Sequence, residues 1–212
     1  MAFDMALLTD TLFIHALVGV FVIVNPFGNV PVFISLTQKF TPAERRTAIT
    51  KSVVIATAIL LVFALIGQFL FDLLSVTLDS LRIAGGLLLL AIAFDMLMGR
   101  SPASKIDQDE ERESVAVTPM ATPLLAGPGA MATVMILMND AQTPIAKGSI
   151  LLAILLAMAA SFIILINCEW VYNVIKKDGA RVLTKIMGIV LATIAVEMMV
   201  KGLLHAFPAL GI

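Results

Sequence analysis

Across 212 residues the chain has one cysteine, one tryptophan, one tyrosine and two histidines. The lone Cys168 excludes an internal disulfide. His15 and His205 are too far apart in sequence to give the i, i+4 pair of a helical zinc site, so no metal is expected. Nor does a Ser-His arrangement with partners at membrane depth emerge, so no enzymatic centre is expected. Charge is scarce too: 14% of residues are charged, with a net charge of −1. Those charges sit between apolar runs, and no nucleic-acid partner is expected. The N-terminal Met1–Asp10 carries Asp4 and Asp10 but no Lys or Arg. It lacks the basic start of a signal peptide, so the apolar run from Leu12 is expected to stay as a span.

What abounds is apolar surface. The chain is 60% hydrophobic with a mean hydropathy of +1.03, which places it among integral membrane proteins. A span needs roughly 20 apolar residues, and six segments qualify, at about 11–36, 48–71, 78–98, 116–138, 149–172 and 183–207. The acidic stretch 99–114, holding Asp107, Asp109, Glu110, Glu111 and Glu113, is the one plausible linker. It divides the chain into 1–98 and 115–212.

Eleven of the 14 Lys and Arg fall on one side of this arrangement; only Arg82, Lys147 and Lys201 fall on the other. By the positive-inside rule the cation-rich side is cytoplasmic and both termini face out. The halves are also related in sequence. A shift of 102 positions carries Pro26 onto Pro128, Val32 onto Val134, Gly86 onto Gly188, and the block Ile92–Leu97 onto Ile194–Met199. Each half holds three spans, an odd number, so the halves must enter the membrane in opposite directions. The expected fold is all-α, with six transmembrane helices as two inverted three-helix repeats, the plan of many secondary transporters.

The first span of each repeat is broken. Asn25-Pro26-Phe27-Gly28-Asn29-Val30-Pro31 and Ala126-Gly127-Pro128-Gly129-Ala130 interrupt apolar runs with residues that cannot continue a helix. In lipid, freed backbone groups are costly unless protein, water or ligand satisfies them. Asn25-Pro26 and Gly127-Pro128 read as caps followed by proline at the first helical position. Each break therefore starts a half-helix whose amides and positive dipole end suit a carboxylate, while the preceding carbonyls, near Val22 and Leu124, suit an ammonium group or Na⁺. The two breaks are expected near the midplane, with Asn25, Pro26, Phe27, Gly28, Asn29, Gly127, Pro128 and Gly129 around a substrate. Ordinary proline kinks are the competing reading. Asp95, Glu169 and Glu197 are candidates for coupling or gating, against simple interfacial pairing such as Glu197 with Lys201. Gln68 and His15 are weaker candidates.

Asn25–Phe33 (Asn-Pro-Phe-Gly-Asn-Val-Pro-Val-Phe) and Pro123–Ala130 (Pro-Leu-Leu-Ala-Gly-Pro-Gly-Ala) resemble the two signature stretches of the MarC family. These are six-span proteins once linked to multiple antibiotic resistance and also described as neutral amino acid transporters. The resemblance implies an inner-membrane protein that moves glycine- or alanine-like substrates, coupled to H⁺ or Na⁺ and without a cofactor. The expected partners are the lipid bilayer and the substrate, with a homo-oligomer as an option. Efflux of other metabolites or drugs, and a non-transporting membrane subunit, stay open as alternatives.

Overall fold

The computed structural model describes residues 2–37, 39–73, 75, 77–99 and 116–207. The linker, from residue 100 on, and the side chain of Gln68 lie outside the described residues. Among those described, every regular element is helical: α1 (Ala2–Val24), α2 (Pro26–Leu36), α3 (Pro42–Leu73), α4 (Leu78–Leu97), α5 (Ala116–Leu125), α6 (Pro128–Asp140), α7 (Pro144–Ile166) and α8 (Cys168–Ala206).

Local chemistry sets where these helices begin. Thr41 and Glu44 form a reciprocal capping box at α3, with Glu44 Oε2 accepting from the Thr41 amide at 2.8 Å and Thr41 Oγ1 from the Glu44 amide at 3.3 Å. Thr143 Oγ1 caps α7 by accepting from the Ala146 amide at 3.1 Å. In both cases proline follows the threonine, where its missing N–H costs nothing. Thr41-Pro42 and Thr143-Pro144 are themselves 102 positions apart.

Among the described residues, five stretches are long and apolar enough to cross a membrane: Thr11–Ile34, Pro42–Gly67, Asp79–Leu97, Pro144–Ile166 and Thr184–Ala206. The segment expected at 116–138 is not among them; it is made of the π-wound α5 and the 13-residue α6. Residues such as Val54, Leu65, Phe69, Ile163 and Ile189 point outward from α3, α7 and α8 with more than two-fifths of their surface bare. On an integral membrane protein lipid covers that surface.

Two features depart from the sequence reading. First, α5 is wound as a π-helix, and the amide of Ala126 bonds the carbonyl of Ala121 at 2.9 Å, five residues back. Second, the polar turn expected between the fifth and sixth spans is helical. Lys176, Lys177, Arg181 and Lys185 all lie within α8, a continuous helix of 39 residues, and the turn that separates it from α7 comes earlier, at Asn167. The stretch carries no proline and is rich in helix-favouring residues, so nothing stops the helix once it has left the apolar layer.

The helices pack in related pairs. α4 lies along α8; α1 packs on α7 and α5 on α3; α2 packs on α8 and α6 on α4; α3 packs on α6 and α2 on α7; α3 also meets α7. Shifting by 102 turns α1 into α5, α2 into α6, α3 into α7, and α4 into the C-terminal part of α8. Every pair named here then maps onto another in the set or onto itself. α4 and α8 run antiparallel, since Gly86 faces Ala195 and Met199 while Gly202 faces Asp79 and Ile83. A Cβ at Gly86 would lie 2.7 Å from the Ala195 carbonyl oxygen, and one at Gly188 would lie 3.3 Å from that of Ala93. These two contacts are counterparts under the same shift.

Candidate functional site

A cavity of about 800 Å³ lies where the two breaks meet, within the size range of small-molecule sites. Asn25, Gly28 and Asn29 line it from the first break, and Gly127, Gly129 and Ala130 from the second. Leu89 and Leu191, counterparts under the 102-residue shift, flank it from α4 and α8. From there it runs to Asp95 on α4, to Met98 and Gly99 just past its end, and to Arg181 and Lys185 on α8. Met98, Gly99, Arg181 and Lys185 are exposed, so the cavity reaches the surface at the cation-rich end.

The two breaks are chemically unequal. At the first, Asn25 adopts left-handed backbone angles (φ 51°, ψ 57°), which asparagine tolerates better than most residues. Its Oδ1 accepts from the Gly28 amide at 3.2 Å and its Nδ2 donates to Met96 Sδ at 3.4 Å. The Asn29 amide bonds the Asn25 carbonyl at 3.1 Å. Asn29 Nδ2 also reaches back to the Val24 carbonyl, the last of α1, at 2.9 Å. Proline supplies no donor at position 26, so these bonds leave only the Phe27 amide at this helix start. The first break is therefore largely satisfied from within.

The second break has no such side chains. Gly127 caps α6 in extended conformation with no side-chain hydrogen bond. Pro128 has no N–H, and the Met131 amide bonds the Gly127 carbonyl at 3.0 Å. The amides of Gly129 and Ala130 thus have no side-chain cap, at the dipole-positive end of a 13-residue helix. Gly129 and Ala130 are buried and line the cavity. The anion-attracting character expected of both breaks accordingly concentrates at α6.

The other expected site residues divide plainly. Pro26, Phe27 and Pro128 shape the breaks but do not line the cavity; Phe27 packs edge-on against Phe21, with ring centroids 6.2 Å apart. Of the three acids, only Asp95 lines the cavity. Glu169 pairs with Arg45, whose Nε and Nη2 also donate to Thr37 Oγ1 and the Thr37 carbonyl at the C-terminus of α2. Glu197 pairs with Lys201 at 3.1 Å on the exposed face of α8. His15 Nδ1 donates to the Thr11 carbonyl of its own helix at 2.7 Å. Sequence reasoning missed Arg181, Lys185 and Tyr172 as lining residues because the basic stretch reads as loop. The signal was the absence of any proline between Cys168 and Ala206.

Close packing explains two of the glycines. A Cβ at Gly28 would overlap the Asn25 side chain, and one at Gly129 would overlap Leu89. Asn25→Ala should cost about 1 kcal/mol, the usual value of an N-cap. Thermal unfolding in detergent should register that loss while the helices still assemble. A fall in melting temperature as large as that of a core truncation would contradict a pure capping role.

The sequence profile described as "MarC family integral membrane protein" matches residues 11–207. A UPF0056 membrane protein of Methanocaldococcus jannaschii is 42% identical over 195 residues, covering 90% of this chain and 95% of that protein. The UPF0056 membrane protein YvbG of Bacillus subtilis is 32% identical, covering 93% and 96%. The UPF0056 inner membrane protein YhgN of Escherichia coli is 31% identical, covering 90% and 95%. No solved structure matches the chain.

Proposed function

Because the chain belongs to the MarC family of integral membrane proteins, we propose that it is a secondary transporter of small neutral amino acids. It works by alternating access around the two breaks. The observation that carries this reading is the cavity into which both breaks open, which reaches the surface at the cation-rich end of the α4–α8 pair. A zwitterion finds complementary groups there. Its carboxylate sits at the uncapped Gly129 and Ala130 amides, and its ammonium end faces Asp95. The apolar walls from Leu89, Leu191 and Val32 suit a short side chain better than a charged one.

Several features support the inverted six-span plan within this reading. The related helix pairs, the counterpart contacts at Gly86 and Gly188, and the two threonine-proline helix starts all obey one offset. Split spans at membrane depth line cavities in secondary transporters of this plan, and α5–α6 forms the sixth crossing. The cation count supports a cytoplasmic cavity mouth and termini on the outside. The YhgN name supports an inner-membrane setting.

The test is uptake of labelled glycine and alanine into proteoliposomes that hold only this protein. Glycine amide and decarboxylated analogues should compete at least tenfold worse than the free acid, a difference of about 1.4 kcal/mol. Equal competition by the amides would remove the role given to the α6 amides. Absence of uptake for every neutral amino acid, from protein that is folded and monodisperse, would remove the transport reading itself.

A further inference from the structure

The cavity ends at Leu89 on α4, Ala130 on α6 and Leu191 on α8. Beyond those residues the same three helices close on one another. A Cβ at Gly85 would lie 2.7 Å from the Cβ of Ala132, joining α4 to α6, and one at Gly202 would lie 2.9 Å from the Asp79 carbonyl oxygen, joining α8 to α4. At the far end of this seam sits a buried guanidinium. Arg82 is 8% exposed and contacts all three helices. Its Nη2 donates to Asp140 Oδ1 and Oδ2, on the last residue of α6, at 3.1 and 3.4 Å. Its Nη1 donates to Asp79 Oδ1 on α4 at 3.4 Å and to His205 Nδ1, in the last turn of α8, at 3.2 Å. His205 Nδ1 also lies 3.4 Å from Asp79 Oδ1.

We propose that Arg82 is the latch that holds the cation-poor end of the translocation route shut. The proposal rests on the transport reading, though its test measures access alone. Two observations carry it. The buried Arg82 closes the seam that continues the cavity's line, with its partners Asp140 and His205 standing at the surface end of that seam. The cluster also breaks the internal symmetry of the chain: the counterparts of Arg82, Asp140 and His205 are the uncharged Thr184, Gln38 and Ala103, and that of Asp79 is Arg181, of opposite sign. Thr184 lines the open end of the cavity. In the exchanged state, with the halves swapping conformations, Arg82 would line the opposite mouth. Its release from Asp140 and His205 is then the step that opens that mouth. An arginine suits this role because it keeps its charge at any physiological pH and can hold several partners through one planar fork.

The experiment places a cysteine at Ile92, which lines the cavity, in a Cys168→Ser background. Intact cells are treated with an impermeant maleimide. With Arg82 in place, labelling from outside should be slow; Arg82→Gln should speed it at least tenfold. Asp140→Asn, which keeps Arg82 with Asp79 and His205, should give a smaller rise. An unchanged rate in Arg82→Gln overturns the latch, provided gel filtration shows folded protein. If that variant does not fold, the Asp140→Asn rate decides in the same way. Faster labelling in protein that transports nothing would keep the latch and discard the transport reading.

Discussion

Gly86→Leu should leave little or no monodisperse protein in detergent, whereas Gly148→Leu should behave as the parent does. The contrast follows from what each new side chain meets. At Gly86 the first added carbon already lies 2.7 Å from the Ala195 carbonyl oxygen, an atom fixed in the backbone of α8. No rotamer relieves that overlap, so α4 and α8 must separate along the longest helix contact in the molecule. At Gly148 nothing lies within 4 Å. Overpacking a tight core typically costs about 1–3 kcal/mol and occasionally more, and an obstruction by backbone belongs at the upper end. Gly188→Leu should fall between the two, because its neighbours are Leu97, a side chain that can turn aside, and the Ala93 carbonyl at 3.3 Å. Thermal melting and gel-filtration profiles of the three variants give the ranking. Equal tolerance at positions 86 and 148 would refute the close approach of α4 and α8.

The second large effect is all-or-none. Ala43 and Ile145 are counterparts under the 102-residue shift, both exposed and both in the first turn of a long helix. On the inverted plan they lie at opposite faces of the membrane. An impermeant maleimide applied to intact cells should label a cysteine at Ile145 fully and one at Ala43 only after the cells are opened. The native Cys168 does not interfere. It is 1% exposed, and burial pushes its thiol above the usual range although Arg45 nearby pulls the other way. A thiol that is hardly ionised and out of reach is a poor nucleophile. Labelling of both positions from outside would end the inverted arrangement and the inside-outside assignment with it.

How much of this was legible beforehand depends on the range of each signal. The breaks at Asn25-Pro26 and Gly127-Pro128 were plain, because proline and glycine inside an apolar run act on their own backbone. Their offset was plain for the same reason. The inequality of the two breaks was half legible: an asparagine cap brings a side-chain acceptor and a glycine cap does not, but Asn29 turning back to Val24 depends on the fold. The π winding of α5 left no trace, since one extra residue per turn changes neither composition nor apolar spacing enough to notice. Lys176–Lys185 misled because membrane-protein sequences are parsed by hydropathy, and a helix that leaves the apolar layer without breaking looks like a loop. The Arg82 cluster was out of reach altogether. Its members at 79, 82, 140 and 205 come together only once α4, α6 and α8 have packed.

That unbroken α8 has a mechanical consequence. At 39 residues and 1.5 Å per residue it is a rod of roughly 58 Å, about twice the apolar thickness of a bilayer. It carries Arg181 and Lys185 beside the cavity mouth and His205 beside Arg82, and it lies against α4 from Gly188 to Gly202, where close backbone contacts leave no slack for sliding. On the transport reading, a stiff beam held along such a contact would move as one piece. Drawing its N-terminal arm away from α4 would press its C-terminal arm toward Arg82, and freeing the C-terminal arm would bring the N-terminal one in. The cavity mouth and the Arg82 end would then work as the two ends of one seesaw, with no signal passed through the core.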